Sequence, residues 1–219
     1  MITYDAIRHN PEINTYITAA DKTLAVLDYT EHSFAHVTKV ANDAAYVLQT
    51  LGYDEHEVEL AKIAAYLHDI GNLVNRKEHA QSGAIMAFRL LDHLDMNAAD
   101  ISTVVSAIGN HDEGTGHPVN AVSAALILAD KSDVRRSRVR NTRKSAFDIH
   151  DRVNYSVQSS SLRISEDKRI ITLNLSIDTA YGNVMEYFEI FLERMVLCRK
   201  AAQHLGLKFS LVINDHQLL

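Results

Sequence analysis

Cysteine is all but missing from this chain of 219 residues, which carries one copy, Cys198. A lone thiol excludes an intramolecular disulfide framework. Its neighbours Met195, Val196 and Leu197 make a buried, inert thiol on an apolar helix face the expected reading. Long hydrophobic runs are also lacking, since no stretch approaches the roughly 18 apolar residues that a membrane span needs. Charges fall early, between Met1 and Asn10, so neither export nor spanning is expected and a cytoplasmic location is. Excess positive charge is absent as well, with 22 Lys and Arg against 28 Asp and Glu for a formal net of −6. Such a chain has no global field for nucleic acid or an anionic membrane, so any anion must be bound locally. No internal repeat or low-complexity segment stands out.

Histidine, by contrast, is plentiful at 12 copies. It is the commonest metal ligand and a general acid or base, so position decides what each copy does.

Apolar residues recur at helical spacing as far as about residue 150. Helices are expected after Pro11, over Thr30 to Thr50, over Asp54 to Asp69, from about His79 through Ile85, Met86, Phe88 and Leu91, over Asn97 to Ile108, and over Asn120 to Val134. Phe34, Val37, Val40 and Val47 are expected to face inward, and Gly52 to stop the second helix. Gly71 is expected to stop the third in a left-handed turn. The last third changes period, because Ile171, Leu173, Leu175 and Ile177 alternate with polar residues, after a turn at Glu166 to Lys168. The expected fold is mainly α: a helical bundle over 1–155 with a small C-terminal β-β-α-β (α+β) appendage over 156–219. Ser159 to Ser161 mark the boundary region.

His68 and Asp69 sit where an apolar helix ends. Alone, the pair means little. His36, however, lies among core residues in Phe34-Ala35-His36-Val37, and Asp130 closes the apolar run Leu126 to Ala129, where an uncompensated carboxylate would be costly to bury. Two histidines and two aspartates from separate helices make a site for a divalent cation.

The ordered set His36, His68-Asp69, Asp130 resembles the HD superfamily of metal-dependent phosphohydrolases, over about residues 28–145. Leu67-His68-Asp69-Ile70-Gly71 and Ile127-Leu128-Ala129-Asp130 are similar to that family's two signature segments. His79 and His111 fall where its binuclear branches place ligands, and the order is similar to that of HD-type diadenosine tetraphosphate hydrolases. The resemblance implies an HD-domain helical bundle and His68 and Asp69 as the catalytic pair. It further implies Asp69 bridging two ions, with His36, His68 and Asp130 on one and His79 and His111 on the other. Such a pair activates water and steadies phosphoryl oxygens. A thiolate-free set suits iron or manganese, with Mg, Co and Ni also admissible.

Many relatives carry a lysine three residues after the aspartate, where this chain has Asn72, and the cyclic dinucleotide phosphodiesterases also have a Gly-Tyr-Pro element, here Gly116-His117-Pro118. Replacement cations follow Asp130: Lys131, Arg135 and Arg136 are candidates, with Asn72, for gripping substrate phosphate. The substrate expected is a nucleotide or another small phosphorylated metabolite, cleaved at an ester or anhydride. Nucleic acid is a lesser candidate, as aromatic interleaving is missing. A diiron oxygenase of the same ligand order and a catalytically silent ligand-binding protein are the rival readings. The open sheet edge of the appendage suggests a homodimer or packing onto the helical part.

Overall fold

A computed structural model describes residues 2–218. The helices are α1 (Tyr4–Arg8), α2 (Pro11–Val26), α3 (Phe34–Leu51), α4 (Glu55–Leu67), α5 (His79–His93), α6 (Ala98–Gly109), α7 (Ala121–Ser132) and α8 (Ile149–Ser156), followed by α9 (Val184–His204) within a C-terminal sheet unit. The starts of α2 to α4, α6 and α7 are capped by Asn10, Ser33, Asp54, Asn97 and Asn120, whose side chains accept from backbone N–H groups of the first turn. Gly52 ends α3 at φ +90, as expected.

α7 positions the site. Every residue from Val122 to Ser132 is buried, because the helix packs against α3, α4, α6 and α9. A helix enclosed in this way must be apolar nearly all round, and Asp130 and Lys131 are its charged exceptions.

The sheet runs β1 (Val157–Ile164), β2 (Ile170–Ile177), β3 (Lys208–Ile213) and β4 (His216–Gln217), with β1 and β4 at its edges. β1 and β2 pair antiparallel, β2 and β3 parallel through α9, and β3 and β4 antiparallel. The alternating face Ile171, Leu173, Leu175 and Ile177 is buried, as are Tyr187, Phe191 and Met195 of α9. The sheet unit lies against the bundle: Ile164 N–H donates to Tyr46 Oη at 3.1 Å and Ser160 Oγ donates to the Ser132 carbonyl.

Several local expectations change. Phe34 is 39% exposed, at the first position of its helix. Ile85 and Phe88 point outward at 72% and 52%, because α5 buries its small face, Ala80, Gly83, Ala84 and Ala87, together with Leu90 and Leu91. Ser159 to Ser161 lie inside β1, paired with β2. Gly71 adopts no left-handed turn; among the described glycines only Gly52 and Gly206 have positive φ. Gly71 instead lies in a 3-10 turn, Ile70–Leu73, where a Cβ would stand 2.0 Å from the His79 carbonyl oxygen and 2.4 Å from the Gly83 nitrogen. Its requirement is closeness, not handedness. It lets the segment after His68-Asp69 press against the first turn of α5. Among the described residues, no helix is long and apolar enough to cross a membrane.

Candidate metal centre

Four histidines and two aspartates from five parts of the chain meet at one place. His36 comes from the first turns of α3, His68 and Asp69 from the end of α4, His79 from the start of α5, His111 from just past α6, and Asp130 from α7. All six are buried, none more than 9% exposed.

The ring orientations follow from what each Nδ1 touches. His68 Nδ1 lies 2.7 Å from the Ala65 carbonyl, His79 Nδ1 3.0 Å from that of Arg76, and His111 Nδ1 2.6 Å from that of Ile108. A carbonyl oxygen only accepts, so each Nδ1 carries the proton and donates. His36 Nδ1 donates to Asp133 Oδ2 at 2.8 Å. In all four rings the outward atom is therefore Nε2, and the four Nε2 atoms point inward at carboxylates and at one another. His79 Nε2 and His111 Nε2 are 3.2 Å apart. His36 and His68 Nε2 lie 3.4 and 3.1 Å from Asp69 Oδ2, and 3.4 and 3.6 Å from Asp130 Oδ1. His79 Nε2 is 3.6 Å from Asp69 Oδ1.

His36 Nε2, His68 Nε2 and Asp69 Oδ2 are buried without any hydrogen-bond partner. Orphaned acceptors in a protein interior are expensive. Three of them converging, each with its opposite side already anchored, is the arrangement that a cation satisfies. Two overlapping donor groups have the right closeness for an ion, His36 with His68 and Asp130, and His68 with Asp69 and His111. His79 adjoins the second. The donors are imidazole and carboxylate only, since Cys198 lies buried elsewhere with its thiol pushed up to about 12 by burial.

The electrostatics differ across the cluster. Burial opposes charge on His68, yet the Asp69 and Asp130 carboxylates outweigh it and hold the imidazole up to about 10. A field that favours a proton there equally favours a divalent cation in its place. Burial keeps His79 and His111 below the usual histidine range. Asp69 and Asp130 stay well below the ordinary carboxylate range against their burial, Asp69 chiefly through His68 and Asp130 chiefly through Lys131.

The cluster opens into a cavity of about 520 Å³. Beyond the donors, its walls include Tyr29, His32, Arg76, Glu113, Lys131 and Arg138, acidic and polar residues of α8 and the segment before it, and Ile190, Phe191 and Arg194 of α9. The C-terminal unit thus supplies one wall of the cavity.

The candidates for phosphate binding part company here. Lys131 lines the cavity, with Nζ 2.7 Å from Asp130 Oδ2 and 3.1 Å from Glu113 Oε2. Asn72 is fully buried and donates from Nδ2 to Asp69 Oδ1 and to the Asp69 carbonyl, both at 2.9 Å. It fixes the aspartate. Arg135 pairs with Asp133 at 2.8 Å and with Glu31 at 3.3 Å. Arg136 donates to the Tyr155 carbonyl, pairs with Asp178 and stacks 4.4 Å above the Tyr155 ring. Neither arginine borders the cavity.

Sequence reading missed Asp133, the buried partner of His36, together with Arg76 and Arg194. His32 carries the same signature as the others, Nδ1 donating to the Thr30 carbonyl at 2.7 Å, and stands on the cavity wall. A carboxylate three residues after Asp130 in a segment otherwise basic was the signal available for Asp133.

A helical bundle that gathers these donors defines a metal-binding domain of the HD type. Residues 33–155 match the HD domain family, and the chain belongs to it; members are generally metal-dependent phosphohydrolases. The chain is also similar to an uncharacterized protein of Methanocaldococcus jannaschii, 28% identical over 211 residues, a match covering 85% of this chain and 79% of that protein.

Proposed function

We propose that this protein hydrolyses a phosphate ester or anhydride of a nucleotide or another small phosphorylated metabolite at a binuclear metal site. The observation that carries the reading is the convergence of inward-facing Nε2 atoms with Asp69, three of those buried atoms having no partner. In this reading His36, His68 and Asp130 hold one ion, His79 and His111 the other, and Asp69 lies between them. The ions, iron or manganese by the donor chemistry, supply an activated water and Lewis acidity toward phosphoryl oxygens. The chain's own residues do the rest. Asn72 holds the Asp69 carboxylate in position through Nδ2, and Asp133 fixes His36. The α9 residues Ile190 and Phe191 form an apolar part of the cavity wall, which limits water around a bound substrate.

The test is phosphate release from a panel of nucleotides and sugar phosphates after reconstitution with Fe(II) or Mn(II). Metal-dependent turnover of at least one member is expected, and Asp69→Ala should lose both turnover and metal while its circular dichroism stays helical. Retained turnover in Asp69→Ala would sink the mechanism.

A further inference from the structure

Four cationic side chains border the cavity, and three are already committed. Lys131 is held by Asp130 and Glu113. Arg194 Nε donates to Glu113 Oε1 at 2.8 Å. Arg138, itself buried, donates from Nε to the Glu31 carbonyl at 2.8 Å and from Nη1 to the Asp133 carbonyl at 2.7 Å. Arg76 differs. Among the described residues it has no carboxylate within ion-pair distance, and its guanidinium is placed by neutral groups: Nη1 donates to Asn72 Oδ1 at 3.3 Å and stands 3.4 Å from His79 Nε2, while the Tyr29 ring lies 5.7 Å away. It is half-buried on the cavity wall, beside the His79 and His111 pair.

An unneutralised guanidinium at the edge of a site is a fixed positive charge with donors to spare, and its planar fork matches two oxygens of a phosphate. Its preorientation by Asn72 and Tyr29 lowers the entropy lost on gripping an anion. We propose that Arg76 is the residue that binds the substrate's phosphoryl group, on the His79 side of the cavity, in place of the basic run after Asp130. This rests on the phosphohydrolase reading above. The same charge acts oppositely on a cation at His79 and His111, which it repels. Arg76 therefore trades metal affinity at that pair for phosphate affinity, and a merely structural arginine would show no such opposed pair of effects.

The experiment is calorimetric titration of inorganic phosphate, and separately of Mn(II), into wild type, Arg76→Gln and Arg76→Lys, with metal content measured in parallel. For Arg76→Gln, phosphate should bind about ten-fold or more weakly to the manganese-loaded protein, while manganese binds as tightly as in wild type or tighter. Arg76→Lys should recover part of the phosphate affinity. Equal phosphate affinity in wild type and Arg76→Gln would overturn the assignment and leave the phosphohydrolase reading standing. So would loss of manganese from Arg76→Gln, which would make the residue part of the metal scaffold. Absence of phosphate binding by manganese-loaded wild type would overturn both together.

Discussion

The Nδ1 atom of His36 is gripped by a carboxylate, Asp133, which is itself wholly buried and held by Arg135 and Arg138, whereas the Nδ1 atoms of His79 and His111, like that of His68, are held by backbone carbonyls. A carboxylate behind an imidazole orients it and raises its basicity, and such partners commonly govern metal affinity. A carbonyl orients the ring but adds no charge. The His36 half of the cluster thus has a buried carboxylate behind one of its rings, and the His79 half rests on backbone placement alone. On the proposed assignment the first half holds its ion tightly, and the second exchanges more readily and depends on the fold of the segment between Asp69 and His79. That segment carries two marks of constraint: Gly71 against α5, and Glu78 at φ +59, a backbone region that side chains other than glycine seldom adopt.

Gly71→Ala should break the comparison most severely. Its new Cβ would meet two backbone atoms that cannot move independently, so α5 must shift and carry His79 with it. Loss of the His79-side metal with retention of the other, read by metal content and by a lowered melting temperature, is the expected outcome; two full equivalents would contradict it.

Asp133→Asn is expected to weaken metal binding by roughly 10- to 100-fold on the His36 side and to leave the His79 side unchanged. It should also destabilise the fold by about 3 kcal/mol, since Arg138 would lose a buried counter-charge. The pH dependence has a definite sign. Burial works against the Asp133 carboxylate, but the His36 hydrogen bond and the Arg138 charge hold its pKa below the ordinary 3.8. A depressed folded value contributes stability that is full above the ordinary pKa and is lost as pH falls below it. Denaturation at about pH 7 and about pH 3 should therefore show a smaller acid-induced loss in Asp133→Asn than in wild type, and an equal loss would refute this role.

The smallest effect is at Cys198, on the buried face of α9. With the thiol buried and pushed up to about 12, a thiol-reactive reagent should modify the native protein negligibly and the denatured protein fully. Rapid native labelling would mean that α9 opens.

These contrasts also explain what the sequence made legible. His68-Asp69 and Asp130 were readable because the first closes and the second interrupts an apolar helix, where a buried polar side chain must have a partner. The sheet face of β2 was readable from strict alternation. Asp133 and Arg76 were not: each lies outside the α-helices, and the role of Asp133 depends on its contact with His36, 97 positions away in the chain. The arginines after Asp130 were legible as charge but not as direction, so Arg135 and Arg136, expected at phosphate, are turned to Glu31, Asp133, Asp178 and Tyr155 instead. α8 escaped notice because its sequence is polar over most of its length, and α1 because five residues are too few for a period to register.

The most direct test is metal content per chain by elemental analysis, on anaerobically purified wild type beside His79→Ala and His111→Ala. Near two equivalents of iron or manganese in wild type, falling toward one in both variants, is the predicted result. One equivalent, unchanged by either substitution, would contradict the binuclear assignment and confine the ion to His36, His68, Asp69 and Asp130.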